Sequence, residues 1–73
     1  MTFQQLQYLL QVSHSGSISQ AAKSLFVSQP SVSVAVSSLE EELGFPIFTR
    51  TQRGLSPTPE GLLVLEYAQR ICS

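Results

Sequence analysis

The residue types able to do covalent or metal chemistry are few in this chain, and they do not gather. His14 is the only histidine and Cys72 the only cysteine, at opposite ends of the sequence. Neither has a second soft ligand beside it, so a metal site and an activated thiol both lack their parts. Glu40, Glu41 and Glu42 form one acidic run, read most simply as a solvated helix end. Gly16, Gly44, Gly54 and Gly61 are scattered, so no glycine-rich loop cradles a phosphate. What remains is chemistry that recognises rather than reacts. Ser28, Gln29, Pro30, Ser31, Ser33 and Val34 stand together in the stretch VSQPSVSVAVSSLE. A glutamine amide can pair with adenine, hydroxyls with base edges or phosphate, and a valine with a thymine methyl. Arg50 and Arg53, close together further on, can neutralise phosphates. This inventory points away from an enzyme and towards nucleic acid, with no cofactor and no metal expected.

The elements that must carry these groups follow from local signals. Thr2 can cap a first helix from Phe3 to about Ser13, with Phe3, Leu6, Leu9, Leu10 and Ser13 on one face. Gly16 suits a left-handed stop. Ser17 and Gln20 have capping-box spacing and open a second helix, whose inward stripe is Ile18, Ala21, Ala22 and Leu25. The two alanines allow a close, steep helix crossing. Phe26 and Val27 make the turn. The serine–valine alternation that follows imitates a strand, but Ser28 is a good N-cap and Pro30 fits a first helical turn. Val32, Val36, Leu39 and Leu43 keep helical spacing, and Gly44 ends the run, so a helix is predicted over about 29–43. Ser31, Ser33, Val34, Ser37 and Ser38 fall on its outer side. Serine is a mediocre helix former, but its short side chain lets a helix lie close in a groove.

Beyond Gly44, apolar runs around Phe45–Arg50 and Leu55–Pro57 flank the turn Thr51–Gly54 and predict a small hairpin with Arg50 and Arg53 near its tip. Thr58 caps a last helix, with Pro59 at its first position and Glu60 near the positive end of its dipole. It reaches the end of the chain without a stop signal and reads as cut mid-helix. Its apolar residues Leu62, Leu63, Val64, Leu65, Tyr67, Ala68, Ile71 and Cys72 cover most of the circumference, more than one small domain needs. A second copy of the same helix is the expected partner, with Leu65, Ala68 and Cys72 chosen by spacing as the contact.

Size and charge bound these expectations. With 73 residues and 42% hydrophobic content, the chain makes one small domain with a modest core. It has no apolar run of membrane length and no signal-peptide pattern at Met1, so no membrane association is expected. The lone cysteine suits a reducing cytosol. The net charge is −1, whereas nucleic-acid binders are usually basic, and no charge lies between Ser24 and Leu39. The predicted fold is mainly α: a winged helix-turn-helix over 1–57, made of three helices and a two-stranded β-hairpin wing, then the start of a linker helix over 58–73. The second helix-turn-helix member would enter the major groove, and the wing would meet the adjacent backbone or minor groove.

The run GSISQAAKSLFVSQPSVSVAVSSLEEELGFPIFTRTQRGLSPTPEG resembles the N-terminal DNA-binding domain of LysR-type transcriptional regulators. The likeness covers practically the whole chain. Its pieces are Gly16-Ser17, Ala21-Ala22, Val27 to Pro30, Leu39 to Gly44, Phe48 to Arg50 and Thr58 to Gly61, all in one register. It implies a cytoplasmic bacterial regulator that reads double-stranded DNA at an interrupted palindrome as a homodimer. It also implies a small-molecule effector bound only by a C-terminal domain absent from this sequence. By position, Gln29, Pro30, Ser31 and Ser33 match the family's recognition-helix contacts, and Arg50 and Arg53 its hairpin contacts. The sequence departs from the family at Val34, Ser37 and Ser38, where basic residues are frequent, and at Phe26, where a smaller or polar residue is usual. The alternative these departures favour is a winged-helix protein–protein module that has lost DNA binding.

Overall fold

The computed structural model describes residues 1–72. They form α1 (Phe3–Ser15), α2 (Ile18–Leu25), α3 (Gln29–Leu43), the hairpin strands β1 (Phe48–Thr51) and β2 (Gly54–Pro57), and α4 (Pro59–Cys72). The architecture is a winged helix-turn-helix with a further helix laid against α1.

Capping decides where the helices begin. Thr2 Oγ1 accepts the Gln5 amide at 3.1 Å and the Gln5 side chain accepts the Thr2 amide at 2.9 Å, a complete capping box. The box expected at Ser17 is only half made. Ser17 Oγ accepts the Gln20 amide at 3.2 Å, but the Ser17 amide donates to Ser15 Oγ at 3.3 Å. Ser15, held on the last turn of α1, supplies the acceptor that Gln20 does not. Helix α1 also runs two residues past the expected Ser13, and Gly16 stops it in the left-handed region at φ 72°. His14 therefore sits in the last turn of α1, exposed.

The inner faces are centred slightly differently from the expected stripes. In α1 they are Leu6, Leu9 and Val12, while Phe3 stays exposed. Ala21 and Ala22 of α2 are buried, as their small size suggested. In α3 the buried set is Val32, Ala35, Val36 and Leu39, with Leu43 half-buried. The serine–valine alternation is thus helical. Ser28 Oγ accepts the Ser31 amide at 3.3 Å, Pro30 lies in the first turn, and Gly44 closes the helix at φ 83°. The turn between α2 and α3 puts Phe26, a non-glycine residue, in the left-handed region at φ 59° with its side chain 94% exposed.

The wing is an antiparallel pair in which Arg50 lies opposite Leu55 and Thr51 opposite Gly54, leaving Gln52 and Arg53 at the tip. Its position is held by three contacts. Leu55 donates its amide to the Gly16 carbonyl at 2.9 Å. A Cβ on Gly54 would fall 2.5 Å from that same oxygen, so the approach needs a glycine. From the other side, Glu40 Oε2 accepts the amides of Ile47 at 2.8 Å and Phe48 at 3.5 Å. The acidic run is therefore not simply a solvated helix end. Glu40 ties α3 to the wing, and Glu42 meets the amino group of Met1 at 2.6 Å.

At the start of α4, Thr58 accepts the Gly61 amide at 2.9 Å and donates its hydroxyl to the Pro46 carbonyl at 2.7 Å. The Thr58 amide reaches the Ile47 carbonyl at 2.9 Å. These bonds lock the entry angle of α4, which packs on α1 and turns Leu65 and Ala68 into the core. Leu65 and Ala68 were expected to face a partner, and burial in their own domain corrects that. Cys72 is half-buried against the same core. The apolar residues left exposed on α4 are Leu62, Leu63, Tyr67 and Ile71. Among the described residues, no helix is long and apolar enough to cross a membrane.

Candidate nucleic-acid interface

The outer face of the first two turns of α3 stands clear of the core. Ser28, Gln29, Pro30, Ser31, Ser33 and Val34 are all exposed, and further along so are Ser37 and Ser38. Burial of Val32, Ala35 and Val36 on the inner side fixes which way this outer strip faces. Within it, Ser28 and Ser31 are linked hydroxyl to hydroxyl at 2.8 Å. A hydroxyl has one proton and two lone pairs, so each keeps further bonding capacity. The helix end offers fewer free amides than a bare N-terminus. Pro30 has none, Ser28 takes that of Ser31, and Val32 bonds back to the Ser28 carbonyl at 3.4 Å. Among the described residues, the Ser28 and Gln29 amides are left without a protein acceptor.

The Gln29 side chain is held from outside its own helix. Its Nε2 donates to Ser19 Oγ, on the first turn of α2, at 3.2 Å. Gln29 also lines a cleft of about 280 Å³ together with Ser17, Ser19, Arg50 and Leu55. The fold thus brings Arg50 to the start of α3, although 21 positions separate Gln29 from Arg50 in sequence. Arg53 does not line this cleft. It sits at the hairpin tip, where its amide bonds to Thr51 Oγ1 at 3.3 Å, and its side chain projects from the far end of the wing. On the opposite flank, Pro30, Ser31 and Val34 border a shallow groove shared with Thr2, Gln4, Gln5 and Tyr8 of the α1 region. Ser19 was not singled out from the sequence, nor were Gln4, Gln5 and Tyr8 as neighbours of α3. Their only sequence signal is a cluster of short or amide side chains at two helix starts.

Charge is arranged unevenly along α3. No carboxylate lines any of the clefts around Gln29, Ser31 and Val34. The three glutamates lie at the far end of the helix, and Glu40 is about 16 Å along the axis from Gln29 at ~1.5 Å per residue. That exceeds the screening length of about 8 Å at physiological salt. The net charge of −1 therefore says little about the end of the helix that Arg50 accompanies. Among the described residues, neither Arg50 nor Arg53 is in an ion pair.

A separate apolar surface lies on the α4 side. Met1, Leu6, Leu43, Leu63, Val64 and Tyr67 line a depression of about 420 Å³. Leu63 and Tyr67 are 68% and 67% exposed, a large apolar area for a helix otherwise docked on its own domain.

Comparison with known proteins agrees with this geometry. Residues 3–62 match the family described as bacterial regulatory helix-turn-helix protein, lysR family. The transcriptional regulator ClcR of Pseudomonas putida is 41% identical over 71 residues, which is 97% of this chain and 24% of ClcR. A probable RuBisCO transcriptional regulator of Guillardia theta is 42% identical over 72 residues, 99% of this chain and 23% of that protein. The chain thus spans about a quarter of the length of these relatives. Among solved structures, the CbnR DBD–DNA complex is similar with a TM-score of 0.91 at 41% identity, covering 97% of this chain and 82% of that one. By its fold, by the positions of its caps and by these likenesses, the chain belongs to the lysR family of bacterial regulatory helix-turn-helix proteins.

Proposed function

We propose that the chain is the operator-reading part of a bacterial transcriptional regulator and binds double-stranded DNA. One observation carries this furthest: the outer face of the first two turns of α3 is exposed and free of acidic neighbours, in a fold shared with a domain solved on DNA. In this reading α3 enters the major groove. Gln29 pairs with a base edge, Ser31 and Ser33 contact base edges or phosphate, and Val34 meets a thymine methyl. Ser28 and Pro30 set the angle of the helix end. Arg50, beside Gln29, and Arg53, at the wing tip, neutralise phosphates on the adjacent backbone or in the minor groove. None of these groups is asked to react, so the activity is binding and not catalysis.

Residues 1–57 form the reading unit, and the segment from Thr58 begins the helix that pairs two copies; the last residue of the expected 58–73 span lies outside the described residues. The exposed set Leu62, Leu63, Tyr67 and Ile71 supports such pairing, since a twofold contact between α4 helices would cover it. Two recognition helices at a fixed distance then call for an interrupted palindrome. The regulator works in the cytoplasm, and an effector would act through a part of the protein outside this chain.

Sequencing the DNA that the purified chain selects from a random pool tests the reading directly. An enriched interrupted palindrome is expected. A second reading, a winged helix that binds protein instead, draws on the absence of any basic residue on the outer strip of α3. Salt separates the two. Arg50 and Arg53 in both copies make about four phosphate contacts, so log K should fall with log salt at a slope of about −4. No enriched sequence, together with a slope near zero, would leave the protein-binding reading standing.

A further inference from the structure

We propose that Ser19 is a positioning residue for DNA reading, fixing the orientation of the Gln29 amide before DNA arrives; this rests on the major-groove role of Gln29 proposed above. The observation is the hydrogen bond from Gln29 Nε2 to Ser19 Oγ at 3.2 Å. Among the described residues it is the one side-chain hydrogen bond that joins α2 to α3. It links the first turns of the two helices that make up the helix-turn-helix, and each partner sits beside the cleft that also holds Arg50.

The chemistry of the amide gives this bond its consequence. A primary amide presents an acceptor oxygen on one side and two N–H donors on the other. Free at the surface, it can turn over and present these groups in either order. In the arrangement the structure shows, one N–H is donated to Ser19, and the other N–H and Oε1 remain in one order. One donor and one acceptor side by side is the pair that adenine answers in the major groove, with N7 accepting and the N6 amino group donating. The reversed order does not match. Guanine at the same edge offers two acceptors, which the outward oxygen repels. Ser19 therefore acts on base choice through Gln29, without touching a base. Holding a long, flexible side chain in one rotamer also lowers the ordering cost of binding.

A double-mutant cycle read by base preference tests this. The 73-residue chain and its Ser19→Ala, Ser19→Thr, Gln29→Ala and Ser19→Ala/Gln29→Ala variants are each used to select DNA from a random pool. Affinities are then measured on the selected site with all four base pairs at the position that Gln29→Ala flattens. Ser19→Ala should lower the preference at that position by about three- to tenfold, the worth of one exposed hydrogen bond. Ser19→Thr, which keeps the hydroxyl, should restore it. In the Gln29→Ala background, Ser19→Ala should change nothing further. Thermal melting of each variant identifies any loss of fold, which would lower affinity evenly for all four base pairs. If Gln29→Ala flattens one position while Ser19→Ala flattens none, the inference fails and the DNA-reading role of Gln29 stands. If Ser19→Ala weakens binding equally with and without Gln29, Ser19 is a backbone contact and the inference also fails. A wild-type chain that enriches no sequence overturns both.

Discussion

Replacing Gly61 by alanine should destabilise this protein, against the usual rule for helices. Gly61 lies inside α4, where alanine is normally favoured over glycine by about 1 kcal/mol. Here the added methyl would lie 2.8 Å from the carbonyl carbon of Ile47 and 3.0 Å from Thr58 Oγ1, and would overlap the Ile47 carbonyl oxygen outright. Backbone cannot step aside as a flexible side chain can. The Ile47 carbonyl is held by the Thr58 amide at 2.9 Å, and the Ile47 amide by Glu40 at 2.8 Å. Relief requires α4 to lift from the base of the wing. Overpacking of this kind costs about 2 kcal/mol. Loosening the two bonds made by Thr58 costs about 1 kcal/mol each. Set against the gain in helix propensity, the net loss is about 3 kcal/mol. For a domain of this size that lowers the melting temperature by roughly 12 to 24 °C. Far-UV circular dichroism during heating, and urea titration at constant temperature, both read it. A Gly61→Ala variant that melts at or above the wild-type temperature would refute the close packing of α4 on the Ile47 segment.

The other expectations concern the two faces. Val34→Arg should steepen the salt dependence of DNA binding by about two units of slope in a dimer; an unchanged slope in fluorescence-anisotropy titrations would mean that position 34 does not face DNA. Leu63→Glu should abolish self-association in sedimentation equilibrium while shifting stability by no more than about 0.5 kcal/mol, because the side chain is already exposed; equal association of variant and wild type would move the dimer contact elsewhere. Phe26→Gly should stabilise the fold by about 1 kcal/mol, since a 94% exposed phenylalanine gains little burial to offset its left-handed backbone. A lower urea midpoint for that variant would show that Phe26 packs in a way its exposure hides.

The helix starts and stops were legible before folding because the forces behind them act across a single turn. Ser28 and Pro30 could be recognised as opening a helix despite the strand-like valines, and Gly16 and Gly44 as closing one, since each cap involves only near neighbours in sequence. The same holds for Thr58, whose hydroxyl meets an amide three residues on. The hairpin turn was readable for the same reason. The exposed strip on α3 followed from helical spacing alone, because any helix that buries Val32, Val36 and Leu39 must turn Ser33, Val34 and Ser37 outward.

Other features depend on where distant segments come to rest. Ser17 looked like half of a capping box, but Ser15 reached its amide first, and only the bend at Gly16 puts Ser15 there. Glu40 read as one of three equivalent surface acids until the chain after Gly44 brought the amides of Ile47 and Phe48 to it. Nothing local distinguishes Leu65 and Ala68 from Leu63 and Tyr67 on a helix that is apolar nearly all round. Their separation into buried and exposed was decided by the rotation of α4 on α1, fixed by Thr58 and by the absence of a side chain at Gly61. Likewise Gln29, Ser19 and Arg50 share a cleft because the packing of Ala21 and Ala22 draws α2 against its neighbours and the Leu55–Gly16 bond folds the wing over the same corner. Caps and spacing are nearest-neighbour effects written along the chain, whereas the rotation of a helix about its own axis is set by the surface it meets, and that surface exists only once the core has formed.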